Sequence, residues 1–438
     1  MASHQNYKSQ SIRASVRDAT SASVVESPRI WFQRHILISR LPLEVCERII
    51  DCVPSLKVAD NSAHENNKLR RNTLVACALT CRAWLFRSRH HLHFSISIYD
   101  KVEFDHFVAL LNQTPEIASF VVHLTTGTRA QKDKLQEWSH LVPFSLASPL
   151  SKLQTVLFNN CDWRNLHPSF LMMTAQFTSV TRLTLQELKL GSSRELVQLI
   201  FSFSSLLELT VRGVECVKNR SCTLRGRSKR CLPLRYLVFR RGLMGYPLLP
   251  MLEETSSNHL LTSMDIELTP EEVELQAVGK FLEGCVSLRF MFFCFKLSVN
   301  DIDKGLFKHL TLAKSTQLQR LKFELNLSVS NMALLVHMLS TVSVPTVTEI
   351  FMRLWDGWNP NPDDKIKTLN SFDWSLLDTV LSSPKFRALR GLCIEVGYLR
   401  GYALRSMLEC SLPKLHKRGV LVEELDFERW VSSSDFKF

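Results

Sequence analysis

The chain has 438 residues, 45% hydrophobic and 22% charged, which excludes a disordered or fibrous protein and fits two or three globular domains. No apolar run reaches the roughly 18 residues that cross a membrane, and the longest candidates, such as 196–203, are short and amphipathic. The net charge of +12 sits mostly in nine Lys and Arg without an acid from Lys218 to Arg241, and in six bases against two acids over the first forty residues, so the rest is close to neutral.

Residues 1–35 are rich in Ser, Thr and Arg with little periodicity and read as a disordered tail, without the apolar core of a secretory signal. A small helical domain is expected over 36–92. Leu41-Pro42-Leu43-Glu44 places a proline to open a helix, and Val45, Ile49 and Ile50 follow at helical spacing until Pro54. The polar stretch Lys57–Asn72 reads as a loop. Leu74, Val75, Ala78, Leu79 and Trp84 then return to helical period, and Phe94, Ile96 and Ile98 alternate as a strand.

The histidines His90, His91 and His93 lack the three or four convergent ligands a metal needs, since strand alternation sets His90 opposite the other two. The twelve cysteines are scattered; Cys77 and Cys81 lie four apart with no second pair, so buried or idle thiols are expected and no metal or cofactor.

From there the chain repeats itself as a bend residue followed by a short strand, in the pattern apolar-x-x-apolar-x-apolar. The units are Leu153/Val156/Phe158, Val180/Leu183/Leu185, Leu206/Leu209/Val211, Leu234/Leu237/Phe239, Leu261/Met264/Ile266 and Leu288/Met291/Phe293. Leu318/Leu321/Phe323, Val347/Ile350/Met352, Leu389/Leu392/Ile394 and Val422/Leu425/Phe427 complete ten, with Ile117/Phe120/Val122 as a candidate eleventh. Three fixed apolar positions arise by chance in about 9% of windows, so one match means nothing. The first eight starts, however, lie 27, 26, 28, 27, 27, 30 and 29 residues apart. Helix-period segments such as 194–203, 271–281 and 332–339 fall between them. A strand and a helix every 27 or so residues predict an α/β fold over 93–438 in which short parallel strands line the inside and helices the outside of a leucine-rich-repeat-like curved solenoid. The alternative is an ordinary α/β domain.

No Gly-rich phosphate loop, nucleophile elbow or His-Glu-x-x-His helix is present, so no enzyme activity is expected. Three features could hold a partner. The Lys218–Arg241 segment, with Arg225, Arg227 and Arg230, reads as a solvated basic loop or a contact for an acidic or phosphorylated protein. Nucleic acid is the less favoured ligand, because the segment lacks interleaved aromatics between Lys218 and Arg235. Trp355 and Trp358 lie where 42 residues separate Val347 from Leu389, in a loop that either binds or covers the core. Phe292, Phe351 and Arg353 should face the concave side, where exposed aromatics are unusual unless covered.

The segment Leu41–Leu85 resembles an F-box. Leu41-Pro42-Leu43-Glu44-Val45 matches the family's Leu-Pro-x-Glu-hydrophobic opening, and Thr73–Trp84 matches its apolar helix ending in Cys-x-x-Trp. With the repeats, the chain is similar to the F-box/leucine-rich-repeat proteins abundant in fungi, specifically over about 45 residues and architecturally beyond them. The resemblance implies a substrate-recruiting subunit in the cytoplasm or nucleus. It would dock on a Skp-type adaptor, and through it on a cullin–RING ubiquitin ligase, and hold a protein substrate on its repeats. Leu41, Pro42, Val45, Ile49, Ile50, Leu74, Cys81 and Trp84 would form the adaptor-facing or clip-core surface. A repeat scaffold without a ligase is the alternative function.

Overall fold

The computed structural model describes residues 42–55, 63–128, 138–164, 167, 169–218, 231–240, 248–268, 272–295, 308–326, 328–355, 367–397 and 402–422. The tail 1–35 lies outside them. The chain divides into two compact units, Met1–Ser88 and Arg89–Phe438.

In the first unit, helix α1 (Leu43–Cys52) starts after Pro42, whose carbonyl accepts from the Val45 and Cys46 amides. Its interior positions Cys46 and Ile50 are continued by Val53 in the 3-10 turn Val53–Ser55, which contains Pro54. Helix α2 runs from Ala63 to Thr80, and helix α3 from Arg82 to Phe94. Two expectations are corrected here. The stretch Lys57–Asn72 is not a loop throughout: from Ala63 it is helix. It lacks an apolar face, so periodicity misses it, although Ala, Glu, Lys, Leu and Arg are good helix formers. Phe94 closes a helix instead of opening a strand, so His90, His91 and His93 are helical and do not alternate across a sheet.

Among the described residues, the second unit is mixed α/β, built on a parallel sheet of eleven strands. Its strands are β1 (Ser95–Ile98), β2 (His123–Gly127), β3 (Thr155–Asn159), β5 (Arg182–Gln186), β7 (Glu208–Arg212) and β9 (Tyr236–Arg240). They are followed by β10 (Ser263–Leu268), β11 (Phe290–Phe295), β12 (Arg320–Asn326), β13 (Glu349–Trp355) and β14 (Gly391–Val396), each beside the strand before it in this series. The short strands β4 (Asp162–Trp163), β6 (Lys189–Ser192) and β8 (Glu215–Lys218) form a second parallel sheet of three.

Nine of the expected apolar triads coincide with β3, β5, β7 and β9–β14. Their second and third positions stand in register from strand to strand: Val156 and Phe158 face Leu183 and Leu185, and the alignment continues to Leu392 and Ile394. These residues and the bend residues before them are buried in one continuous core. Phe293 and Phe323, neighbours in that register, stack at 5.6 Å between centroids. The triad Val422/Leu425/Phe427 lies mostly outside the described residues, although Leu421 already bridges in parallel to Leu392.

The triad Ile117/Phe120/Val122 is placed wrongly. Pro115–Phe120 is a 3-10 turn and the strand is β2, whose inward positions are Leu124 and Thr126 after the bend at Val121. A buried threonine in an apolar slot hides the pattern.

Helices cover the triad side of the sheet and start with side-chain caps. Asp100 accepts from the Glu103 amide ahead of Lys101–Gln113, and Ser192 makes a capping box with Glu195 ahead of Ser193–Ser202. Ser328 caps Val329–Thr341 and Asp373 caps Trp374–Leu381. Phe104, Leu196, Leu335 and Leu377 from these four helices join the core.

Candidate functional site

The helical unit has two kinds of apolar position. At about 100° of rotation per residue, Val45 and Ile49 share one strip of α1, and Cys46 and Ile50 share another about 100° away. Cys46 and Ile50 are buried, at 4% and 0% exposure, whereas Val45 and Ile49 are 40% and 48% exposed. Leu43 on α1, Leu69, Val75 and Leu79 on α2, and Phe86 on α3 are exposed as well, Leu79 at 81% and Phe86 at 67%. Asp51 accepts two hydrogen bonds from the Arg87 guanidinium, at 2.5 and 2.7 Å, tying α1 to α3.

Of the partner-facing residues expected from sequence, Pro42, Val45, Ile49 and Cys81 are exposed and Trp84 is half-buried. Leu41 lies outside the described residues. Ile50 and Leu74 are interior, at 0% and 4% exposure, on the clip-core side of that expectation. Leu43, Leu69, Val75, Leu79 and Phe86 were missed as surface residues. The signal was available for Val75 and Leu79, which sit four apart, one helical step from the buried Leu74.

The other candidate lies on the sheet face turned away from the core. In register across β5 to β14, this face carries Arg182, Glu208, Tyr236, Ser263, Phe290, Arg320 and Glu349 in one row. The next row holds Asp265, Phe292, Lys322, Phe351 and Cys393, and the one beyond it Arg212, Arg240, Glu267, Cys294, Glu324, Arg353 and Glu395. Ion pairs cross the strands: Arg182 to Glu208 at 2.9 Å, Arg240 to Asp265 at 2.7 Å, Arg320 to Glu349 at 3.0 Å and Arg353 to Glu395 at 2.8 Å. Burial pushes the Asp265 carboxyl above its ordinary pKa against the opposing pull of Arg240. Burial likewise lowers the Lys322 ammonium and lifts the Tyr236 phenol to about 12.

The aromatics here are not freely exposed. Phe351 is 2% exposed, and Phe292 is half-buried between Arg240, 4.6 Å from its centroid, and Lys322, 4.2 Å away. Lys322 on the adjacent strand β12 and Arg240 two strands away on β9 cover the Phe292 ring. Arg353 remains partly open and Trp355 is 48% exposed. Arg225, Arg227, Arg230 and Trp358 lie outside the described residues.

No group of three or more His, Cys, Asp or Glu converges as metal ligands among the described residues. His90 packs against the rings of Phe94 and Phe120. The described cysteines are free thiols; Cys161, buried with its pKa raised to about 12 by desolvation, has little thiolate at neutral pH. No described helix is long and apolar enough to cross a membrane.

The sequence matches no protein-family model, and no curated protein matches it significantly.

Proposed function

We propose that this chain is a non-catalytic recruiting subunit: an F-box-like helical clip that docks on a Skp-type adaptor of a cullin–RING ubiquitin ligase, followed by leucine-rich-repeat-like units that hold a protein substrate. The observation that carries the reading is the second apolar strip of α1, Val45 and Ile49, left open beside a buried one. A stable protein contact covers about 800 Å² per partner, and apolar area removed from water contributes roughly 25 cal/mol per Å². Seven exposed large apolar side chains among the described residues of this unit supply anchors for such a contact, and the F-box resemblance over Leu41–Leu85 names the partner.

A second reading, a repeat scaffold without a ligase, draws on one observation. Helix α2 already begins at Ala63, well ahead of the Thr73–Trp84 segment that resembles the family, and exposes Leu69 in the added turns.

Co-purification of the full chain with a Skp-type adaptor separates the two. The wild type should capture the adaptor, and Val45→Asp with Ile49→Asp should abolish capture while the far-ultraviolet circular dichroism stays unchanged. Failure of the wild type to capture it, or equal capture by the double variant, sinks the ligase reading.

A further inference from the structure

The arginines on the outward sheet face share one design. Arg182, Arg240, Arg320 and Arg353 each pair with a carboxylate on a neighbouring strand. In two of these pairs the carboxylate lies beneath the guanidinium: Arg182 and Arg240 are each 27% exposed at the side chain, above Glu208 at 14% and Asp265 at 10%. Donor groups therefore dominate what this part of the face offers to solvent.

Arg212 departs from the design. It ends β7, is exposed, and makes no ion pair with any described residue. Its register partner on β9 is Arg240, so two guanidinium-bearing residues sit directly opposite each other on strands about 4.8 Å apart. Like charges so placed are unfavourable. On the other side of Arg212 the register partner is the neutral Gln186, and Glu187 lays its carboxylate against Gly213. The buried acid nearby, Asp265, also feels the charge of Arg212, but it is bound bidentately to Arg240 through Nε at 2.9 Å and Nη2 at 2.7 Å. One positive charge is left over at the surface, beside a second guanidinium pinned from below.

We infer that Arg212 and Arg240 form a receptor for a single anionic group, and that its occupant is an acidic side chain on a protein partner. The inference rests on the proposal that this face holds the substrate, and it gives that substrate a chemistry. A lone carboxylate seated between the two guanidiniums neutralises the surplus charge and removes the cross-strand repulsion. A continuous polyphosphate strand fits less well, because the cations beyond the arginine pair are already matched by carboxylates on the same face: Arg182 by Glu208, Arg320 by Glu349 and Arg353 by Glu395. Arg and half-buried aromatics such as Phe292 are also the residue types that anchor protein partners.

The test uses the full chain and three labelled probes at low ionic strength: an octaglutamate peptide, a phosphoserine peptide without acidic residues, and a single-stranded RNA. Octaglutamate should bind with an affinity that falls as salt rises. Arg212→Glu should weaken it about tenfold or more, while Lys314→Glu, an exposed charge outside the sheet, changes it less than about twofold. Arg212→Glu should fold with undiminished stability, since the new carboxylate faces Arg240. Absence of octaglutamate binding overturns the inference, as does equal binding by Arg212→Glu, which would put the contact elsewhere in the chain. Binding of the phosphoserine peptide alone, or of RNA alone, overturns the carboxylate assignment. Adaptor capture is read on the same preparations. Capture without peptide binding removes this inference alone, and peptide binding without capture removes the ligase reading alone.

Discussion

The ammonium nitrogen of Lys322 lies 4.2 Å from the centroid of the Phe292 ring and 3.1 Å from a carboxylate oxygen of Glu324. Lys322 is 8% exposed, and the Phe351 ring approaches it from the other neighbouring strand at 5.5 Å. Burying an ammonium is costly, and here ring faces and one carboxylate offset the cost. Glu324 also serves Arg353, at 3.5 Å.

The two ends of this pair should therefore respond unequally. Lys322→Met keeps an apolar stem between the rings and leaves Glu324 with Arg353, so urea unfolding should register a change within about 1 kcal/mol. Glu324→Ala strands a buried ammonium and should cost about 3 kcal/mol. Equal losses from the two variants would show that the charge pair does not govern this face.

Helix Glu272–Glu283 approaches a neighbouring segment too closely for any side chain at Gly279. A β-carbon there would lie 1.9 Å from the carbonyl oxygen of His309, a backbone atom that cannot swing aside. Gly279→Ala gains about 1 kcal/mol of helix propensity, yet the forced separation should leave a net loss of about 2 kcal/mol. A thermal unfolding midpoint equal to or above that of the wild type would refute the close approach.

The turns from the large sheet to the small one pass through left-handed backbone at equivalent positions: Asn160 with φ 51°, Glu187 with φ 50° and Gly213 with φ 62°. Each donates its amide to the last residue of the next large-sheet strand, namely Gln186, Arg212 and Arg240. Asparagine and glycine tolerate this conformation, but a glutamate is strained in it. Glu187→Gly should stabilise the chain by about 0.5–1 kcal/mol. Gly213→Ala should cost about 1–2 kcal/mol, and less when Glu187 is already Gly, because its β-carbon would otherwise meet the Glu187 carboxylate at 2.6 Å. A double-mutant cycle on chemical denaturation reads both effects, and strict additivity would rule out the contact.

Most of the large sheet was legible because a bend residue and two inward residues recur at nearly constant spacing, and the structure aligns those residues with one another. Where one inward position is polar, as at Thr126, the signal vanished and β2 was placed a few residues early. Periodicity is also blind to a helix without an apolar face, which is why Ala63–Asn72 reads as loop in the sequence. In the helical unit, sequence identified the apolar positions but not their side: Ile49 and Ile50 differ by one step of about 100°, one open and one buried. On the sheet face, the juxtaposition of Arg212 with Arg240 needs the strand register, which no local pattern contains. The burial of Phe351 likewise comes from residues on neighbouring strands, Lys322 on one side and Cys393 on the other.

His123 on β2 packs edge-on against Phe94, with ring centroids 4.8 Å apart, and its pKa is lowered first by burial and then by the charge of Arg182. A histidine whose folded-state pKa lies below its unfolded value of about 6.5 binds fewer protons in the folded chain. Its contribution to stability is therefore complete above about pH 6.5 and is lost as the pH falls from there through the lowered folded-state value. Unfolding free energies measured from pH 7.5 down to 5 should decline more steeply for the wild type than for His123→Phe, which keeps a ring against Phe94 but cannot take up a proton. Parallel decline of the two proteins would assign the acid sensitivity to other groups and show that the buried face of His123 is not what titrates.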